Sequence, residues 1–248
     1  MINAFYKKYQ KHFDVSENNF AHFVMWSCGG ICIGFVIGLV GIAFHLALEW
    51  ATEFRTAHPM LLWLLPFGGL AIVLAYRLAG QEKDRGTNFI LVAVRANEAV
   101  TLRTAPLIFF STVVTHLLGG SAGREGAALQ LGGSIASSFG RIFQLNEREG
   151  RIMTMCGMAA GFAALFGTPL TSVIFAMEVI TVGVMHYSAI VPCIISALVA
   201  AGLSQAVGIA PTTFSIAHIP ATVGLENCFR AAVLGVLCAV LSVLFCIV

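Results

Sequence analysis

Gly119-Gly120-Ser121-Ala122-Gly123-Arg124-Glu125-Gly126-Ala127-Ala128-Leu129-Gln130 is a glycine-rich turn that opens a helix in the middle of an apolar region. Residues 104–118 before it and 127–143 after it are apolar, yet each falls short of a comfortable membrane crossing, which takes about 20 residues. Lipid offers the backbone no hydrogen bonds, so an apolar piece broken by glycine is tolerated at membrane depth only where protein buries it or it lines a cavity. A helix begun there aims unpaired N–H groups and the positive end of its dipole into the protein interior, where an anion is the natural occupant. Glycine lets the backbone approach that ion with no side chain between. The break is a candidate anion site, with Gly123, Arg124, Gly126, Ala127 and Ala128 around the ion.

Glu125 sits in the first turn of that helix. An ionised carboxylate inside a membrane costs at least about 2.5 kcal/mol unless donors compensate it, and helix N-terminal amides are such donors. The side chain and a permeant anion then compete for one site, and protonation of the carboxylate releases it. The plain alternative is a capping acid paired with Arg124. The surrounding glycines, and the lack of any other acid between Glu98 and Glu147, weigh against it.

Composition sets the class. Of 248 residues, 58% are hydrophobic and 10% charged, against about 25% charged in an average soluble domain. Mean hydropathy is +0.88, so lipid solvates most of the outer surface. The apolar runs are long and continuous, which selects helices over the alternating segments of a barrel. Net charge is +2, with no basic run interleaved with aromatics, so nucleic acid is not an expected partner. The seven cysteines form no CxxC pair and read as small core residues. His45, His116 and His186 have no acid at metal-ligand spacing, and neither GxSxG nor HExxH occurs, so no metal, cofactor or enzymatic activity is expected. The first 20 residues are too polar for a signal peptide.

Working outward, residues 20–50 form a first span, and Gly29, Gly30, Gly34, Gly38 and Gly41 mark a face where another helix can approach closely. A polar ATEFRTAH turn leads to a second span over 59–78, the two making a hairpin. Lys7, Lys8 and Lys11 precede the first span, and Arg77, Lys83, Arg85, Arg95 and Arg103 follow the second, which places both flanks in the cytoplasm. Beyond the broken pair, 152–166 runs through a Gly-Thr-Pro break into 170–184, then come 187–207 and 226–248. The last segment loosely echoes the first span, as a second internal repeat would.

GSAGREGAALQLGGSIA (120–136) resembles the GREGP-type signature of the CLC family of chloride channels and anion/proton antiporters. In that family the glutamate is the anion gate and proton acceptor. AAGFAALFGTPLTSVIFAMEV (159–179) looks like the helix pair that follows the signature, and the likeness covers roughly 86–207. It implies an all-α, polytopic integral membrane bundle with broken, re-entrant helices: the first half of an inverted-repeat CLC fold. THLLGGSAGREG is closer to the fluoride-exporting branch, so the resemblance implies fluoride export coupled to proton import, with a chloride channel or chloride/proton antiporter as the alternative. A non-transporting fragment or partner subunit is the reading from another class. Where chloride members carry GSGIP, this chain reads Gly86-Thr87-Asn88-Phe89-Ile90. Gly86, Thr87 and Asn88 then join the ion's surroundings, or Thr87 and Asn88 cap a short helix beginning near Phe89. Ala127 replaces the signature proline and restores an N–H. Glu178 stands at the family's acidic position, either on a proton path or as a buried acid bonded to backbone, and Val179 replaces the second acid.

The family's two inverted halves imply a division into 1–19 (cytoplasmic), 20–209 (first repeat) and 210–248 (linker and first helix of a truncated second repeat). They also imply a homodimer packed through faces near 168–184 and 187–207. A bacterial inner membrane is the expected location, with the lipid bilayer, protons and fluoride or chloride as partners.

Overall fold

A computed structural model describes residues 19–81, 90, 92, 101–180, 187–209 and 224–247, and among these the regular elements are all helical. In chain order they are α1 (Asn19–Ala57), a 3-10 turn (Pro59–Leu64), α2 (Leu65–Leu78), α3 (Thr104–Leu117), α4 (Arg124–Ile142), α5 (Glu147–Phe166), α6 (Pro169–Glu178), a second 3-10 turn (Tyr187–Ala189), α7 (Ile190–Ala206) and α8 (Leu225–Ile247). Among the described residues, four segments are long and apolar enough to cross a membrane: Phe23–Ala57, Pro59–Leu78, Tyr187–Ala206 and Leu225–Ile247. Helices α3 and α6 are apolar but shorter, as expected of half-spans. The chain divides into two compact units, Met1–Pro211 and Thr212–Val248. In the second, α8 carries an Arg230–Glu226 ion pair one turn apart near its start.

Helix boundaries follow local chemistry. The polar stretch 51–58 was expected to turn, yet α1 runs through it to Ala57. Nothing there breaks a helix until Pro59, and His58 Nδ1 hydrogen-bonds the Phe54 carbonyl at 3.0 Å at the point of termination. The 39 residues of α1 span about 58 Å, longer than a bilayer core is thick. Helix α5 starts on a capping box: the Asn146 side chain accepts from the Glu149 N–H, and the Glu149 carboxylate accepts from the Asn146 N–H. It ends at Gly167, whose φ of 63° closes the helix before Thr168-Pro169. The span expected over 170–184 is helical only to Glu178, and 181–186 lie outside the described residues.

The core of the first unit is an α4–α5 pair flanked by α1 and α7. From Ala127 to Ala136 every residue of α4 is buried, as is every residue of α5 from Ile152 to Gly161. These two helices touch backbone to backbone. A methyl group on Gly132 would strike the Gly157 carbonyl, one on Gly157 would strike the Gly132 carbonyl, and one on Gly161 would sit 2.7 Å from the Ala128 oxygen. The glycine face expected on α1 is present and its main partner is α7. A methyl group on Gly30 would lie 2.9 Å from the Pro192 oxygen, one on Gly34 2.5 Å from the Ser196 oxygen, and one on Gly38 3.1 Å from the Ala200 Cα. Gly41 faces Ala164 of α5 instead. Lipid tails are as apolar as leucine, so such close contacts and interhelical hydrogen bonds hold membrane helices together. Ser196 and Ser204 on α7 donate to the Cys156 and Ala164 carbonyls of α5 at 3.0 and 2.7 Å. Of the seven cysteines read as core residues, Cys156 and Cys193 are buried, whereas Cys28, Cys32, Cys228, Cys238 and Cys246 are exposed on apolar helices.

Two substitutions test this packing. Gly132→Ala forces two backbones apart and is expected to cost about 1–3 kcal/mol, whereas Gly202→Ala, inside α7 with open space around it, costs nothing and gains up to about 1 kcal/mol in helix propensity. Reversible unfolding in mixed detergent micelles measures both, and equal effects would remove the claim that α4 and α5 are in backbone contact. Ser204→Ala is expected to cost only about 0.6 kcal/mol by the same measurement.

Candidate functional site

The turn between α3 and α4 is held on both sides. Gly119 adopts a φ of 81°, and Gly120 N–H donates to the Thr115 carbonyl at 2.8 Å, closing α3. A methyl group at Gly119 would approach Leu62 at 2.9 Å and the Arg55 side chain at 3.3 Å. The turn is thus seated against the C-terminal end of α1 and the 3-10 segment that follows.

Helix α4 then starts on Gly123, extended at φ −74° and ψ 134°, with no side-chain hydrogen bond to the cap. The contrast with α5 is informative, since there Asn146 and Glu149 occupy the first amides. A helix leaves about four N–H groups unpaired at its start, and at α4 no capping side chain takes them. The inner side of this first turn is fixed: Ala127 and Ala128 are buried with Phe44 and Leu48 of α1, Ile108 of α3 and Leu165 of α5. The turn therefore lies level with Phe44 and Leu48 of α1. The opposite side is open, with Gly123 and Glu125 exposed. The carboxylate of Glu125 folds back over the cap, Oε2 lying 2.9 Å from where a Cβ on Gly123 would be. Glu125 forms no ion pair among the described residues. The Arg124 guanidinium lies over the Phe166 ring at 5.6 Å, which ties the start of α4 to the Gly167-Thr168-Pro169 break. Phe162 links Phe166 and Phe175 across that break, with ring centroids 4.4 and 5.2 Å away.

Of the residues read from the sequence, Gly123, Arg124, Glu125, Gly126, Ala127 and Ala128 are thus one structural unit. Gly86, Thr87 and Asn88 lie outside the described residues. Ile90, two positions on from Asn88, is 1% exposed and packs against α4 at Gly133. Glu178 does not join the group: it ends α6 with its side chain exposed, so the buried, backbone-bonded reading of it does not hold. Its last-turn position and the short length of α6 leave it uncovered.

One feature escaped the sequence reading. Gln130, Ser134 and Ser138 form a buried polar stripe at four-residue spacing along α4. Arg141 Nη2 donates to Ser138 Oγ at 3.0 Å, and Ser138 Oγ donates to the Ser134 carbonyl at 2.9 Å. Ser134 Oγ and Thr104 Oγ1 are buried without a hydrogen-bond partner among the described residues. The spacing was the available signal, masked by the glycines between.

Comparison with known proteins gives this geometry a family. The family model described as voltage gated chloride channel matches residues 67–248. A chloride/fluoride channel protein of Pseudomonas syringae pv. tomato is 40% identical over 188 residues, 75% of this chain and 42% of the relative. An H(+)/Cl(-) exchange transporter, ClcA of Cronobacter sakazakii, is 34% identical over 160 residues, 58% of this chain and 34% of its own. The crystal structure of a CLC-type fluoride/proton antiporter superposes with a TM-score of 0.75 at 32% identity, covering 84% of this chain and 52% of the other. The chain spans about half, or less, of the length of these relatives. A slow cyanobacterial Cl-/H+ antiporter, 20% identical with a TM-score of 0.65, shares the fold. Since the family model takes in nearly three quarters of the sequence, including the glycine-capped start of α4, this integral membrane protein belongs to the voltage gated chloride channel (CLC) family.

Proposed function

We propose that this chain carries half of an anion pathway that exports fluoride in exchange for protons, with Glu125 as the coupling group. The observation that carries the reading is the start of α4: a glycine cap with no capping side chain, and a glutamate whose carboxylate lies beside that cap. When ionised, the carboxylate can accept from the amides of this opening turn, Gly126 among them, whereas those of Ala127 and Ala128 already belong to the helical ladder, and a halide seeks the same donors. When protonated, it loses that attraction and leaves the amides to the ion, so proton and anion occupancy are linked. Arg124, turned onto Phe166, adds positive potential beside the same amides.

Fluoride is the ion we favour, because the relative at 40% identity is named a chloride/fluoride channel protein and the structural neighbour at 32% is a fluoride/proton antiporter. Thr87 and Asn88 would supply extra donors for this strongly hydrated ion, with Gly86 allowing close approach. Ile90 lodged against α4 supports their recruitment. Glu178, exposed at the end of α6, is available for a proton path toward the other side. Residues 1–19 are then cytoplasmic, 20–209 form a first repeat, and 210–248 are the linker and first helix of a second. The whole is a homodimer in a bacterial inner membrane, built through α6 and α7.

The test is paired fluoride and proton flux in proteoliposomes, with this chain joined as a chimera to the remaining length of the Pseudomonas relative. Glu125→Gln is expected to abolish proton movement while fluoride still passes or stops altogether. Unchanged coupling in that variant removes Glu125 from the mechanism, and a preference for chloride over fluoride moves the substrate to the chloride branch.

A further inference from the structure

Helices α2 and α3 form a wedge rather than a packed pair. They meet at one end, where Gly68, the one buried residue of α2, sits against Leu118 and Val114. Toward the other end they are separated by a cleft of about 430 Å³, within the range of sites that hold small ligands. Ala71, Ala75 and Ala79 line one wall at four-residue spacing; Leu107 and Phe110 line the other. Such a small-residue face usually lets a second helix close in, but among the described residues no helix does so beyond Gly68. The Ser111 hydroxyl in this wall is turned to its own helix, donating to the Ile108 carbonyl at 3.2 Å, so the lining is almost wholly apolar. At the wide end the character changes, because Arg103, exposed at the N-cap of α3, borders the cleft.

We propose that this wedge is a binding site for one anionic phospholipid, with an acyl chain along Ala71–Ala79 and the phosphate on Arg103. An apolar slot running along two membrane helices fits a chain that must avoid water, and a cation at its mouth fits a negative headgroup held at the interface. A neutral lipid gains the slot but not the charge. A soluble anion gains the charge but not the slot. The guanidinium can grip a phosphate through two parallel hydrogen bonds, which a lysine ammonium cannot reproduce.

Native mass spectrometry of the full chain in detergent, titrated separately with phosphatidylglycerol and phosphatidylcholine, tests the proposal. The expected result is one retained phosphatidylglycerol, preferred about fivefold over phosphatidylcholine. Arg103→Ala, a change at an exposed position, should erase that preference while leaving weak binding of both lipids. Ala75→Phe, which fills the slot, should reduce both. Equal binding of the two lipids by the unmodified chain overturns the proposal, as does a preference that survives both substitutions. Failure to retain either lipid overturns it too, and points to protein as the cover for this cleft.

Discussion

The contact between the backbones of α4 and α5 is the constraint on which the rest of this fold depends. Gly132, Gly157 and Gly161 leave room for only hydrogen atoms between the two helices. In a membrane, where burying apolar side chains gains little over leaving them in lipid, such proximity supplies dispersion contacts that leucines on the same faces would prevent. Once the pair is locked, both neighbours inherit its geometry. Helix α7 attaches to α5 through Ser196 and Ser204, and α1 reaches α7 through its own glycines and α5 through Gly41.

That lock explains why the two central helices are the least lipid-like of the first unit. Neither α4 nor α5 is apolar enough to be recognised as a span, whereas α1 and α7 are. A helix surrounded by protein has no need of a hydrocarbon exterior, so Gln130, Ser134 and Ser138 can occupy its buried face without meeting lipid. The outer helices show the reverse pattern. Leu39, Leu46 and Trp50 on α1, and Trp63, Phe67 and Leu70 on the hairpin, are exposed large apolar groups suited to a lipid or protein cover.

Much of this was legible from residues alone, for identifiable reasons. Long apolar runs and the Gly-Thr-Pro break mark α1, α7 and the α5–α6 junction, because membrane length and proline geometry are strong local rules. The glycines of α1 announced a helix contact, though not that α7 would make it, since the partner is set by tertiary arrangement. The end of α1 was misplaced because polar residues between hydrophobic stretches look like a turn even where no residue opposes helix. At the site, the Gly-capped start and Glu125 were readable as a unit. Exposure of Glu178 was not, because burial at a helix end depends on what packs against it, and sequence spacing is silent on that. Nor was the placing of Arg124 over Phe166, which requires two helix ends 42 positions apart in the sequence to meet.

Packing and chemistry also share one set of positions. Ala128 presents its carbonyl to Gly161 and directly follows the opening turn whose amides are proposed to hold the ion. Gly132 follows one turn later, on the face pressed to Gly157. Helices move as stiff rods, so a side chain that pries α4 from α5 at Gly132 also shifts the first turn relative to Phe44, Leu48 and Leu165, which fix its inner side. Amide dipoles act on an ion over only a few ångströms, and displacement on that scale changes which group, carboxylate or halide, fits them best. The glycines of the α4–α5 seam and those of the turn therefore answer to one requirement: a rigid helix whose exposed beginning is placed by contacts made farther along its length.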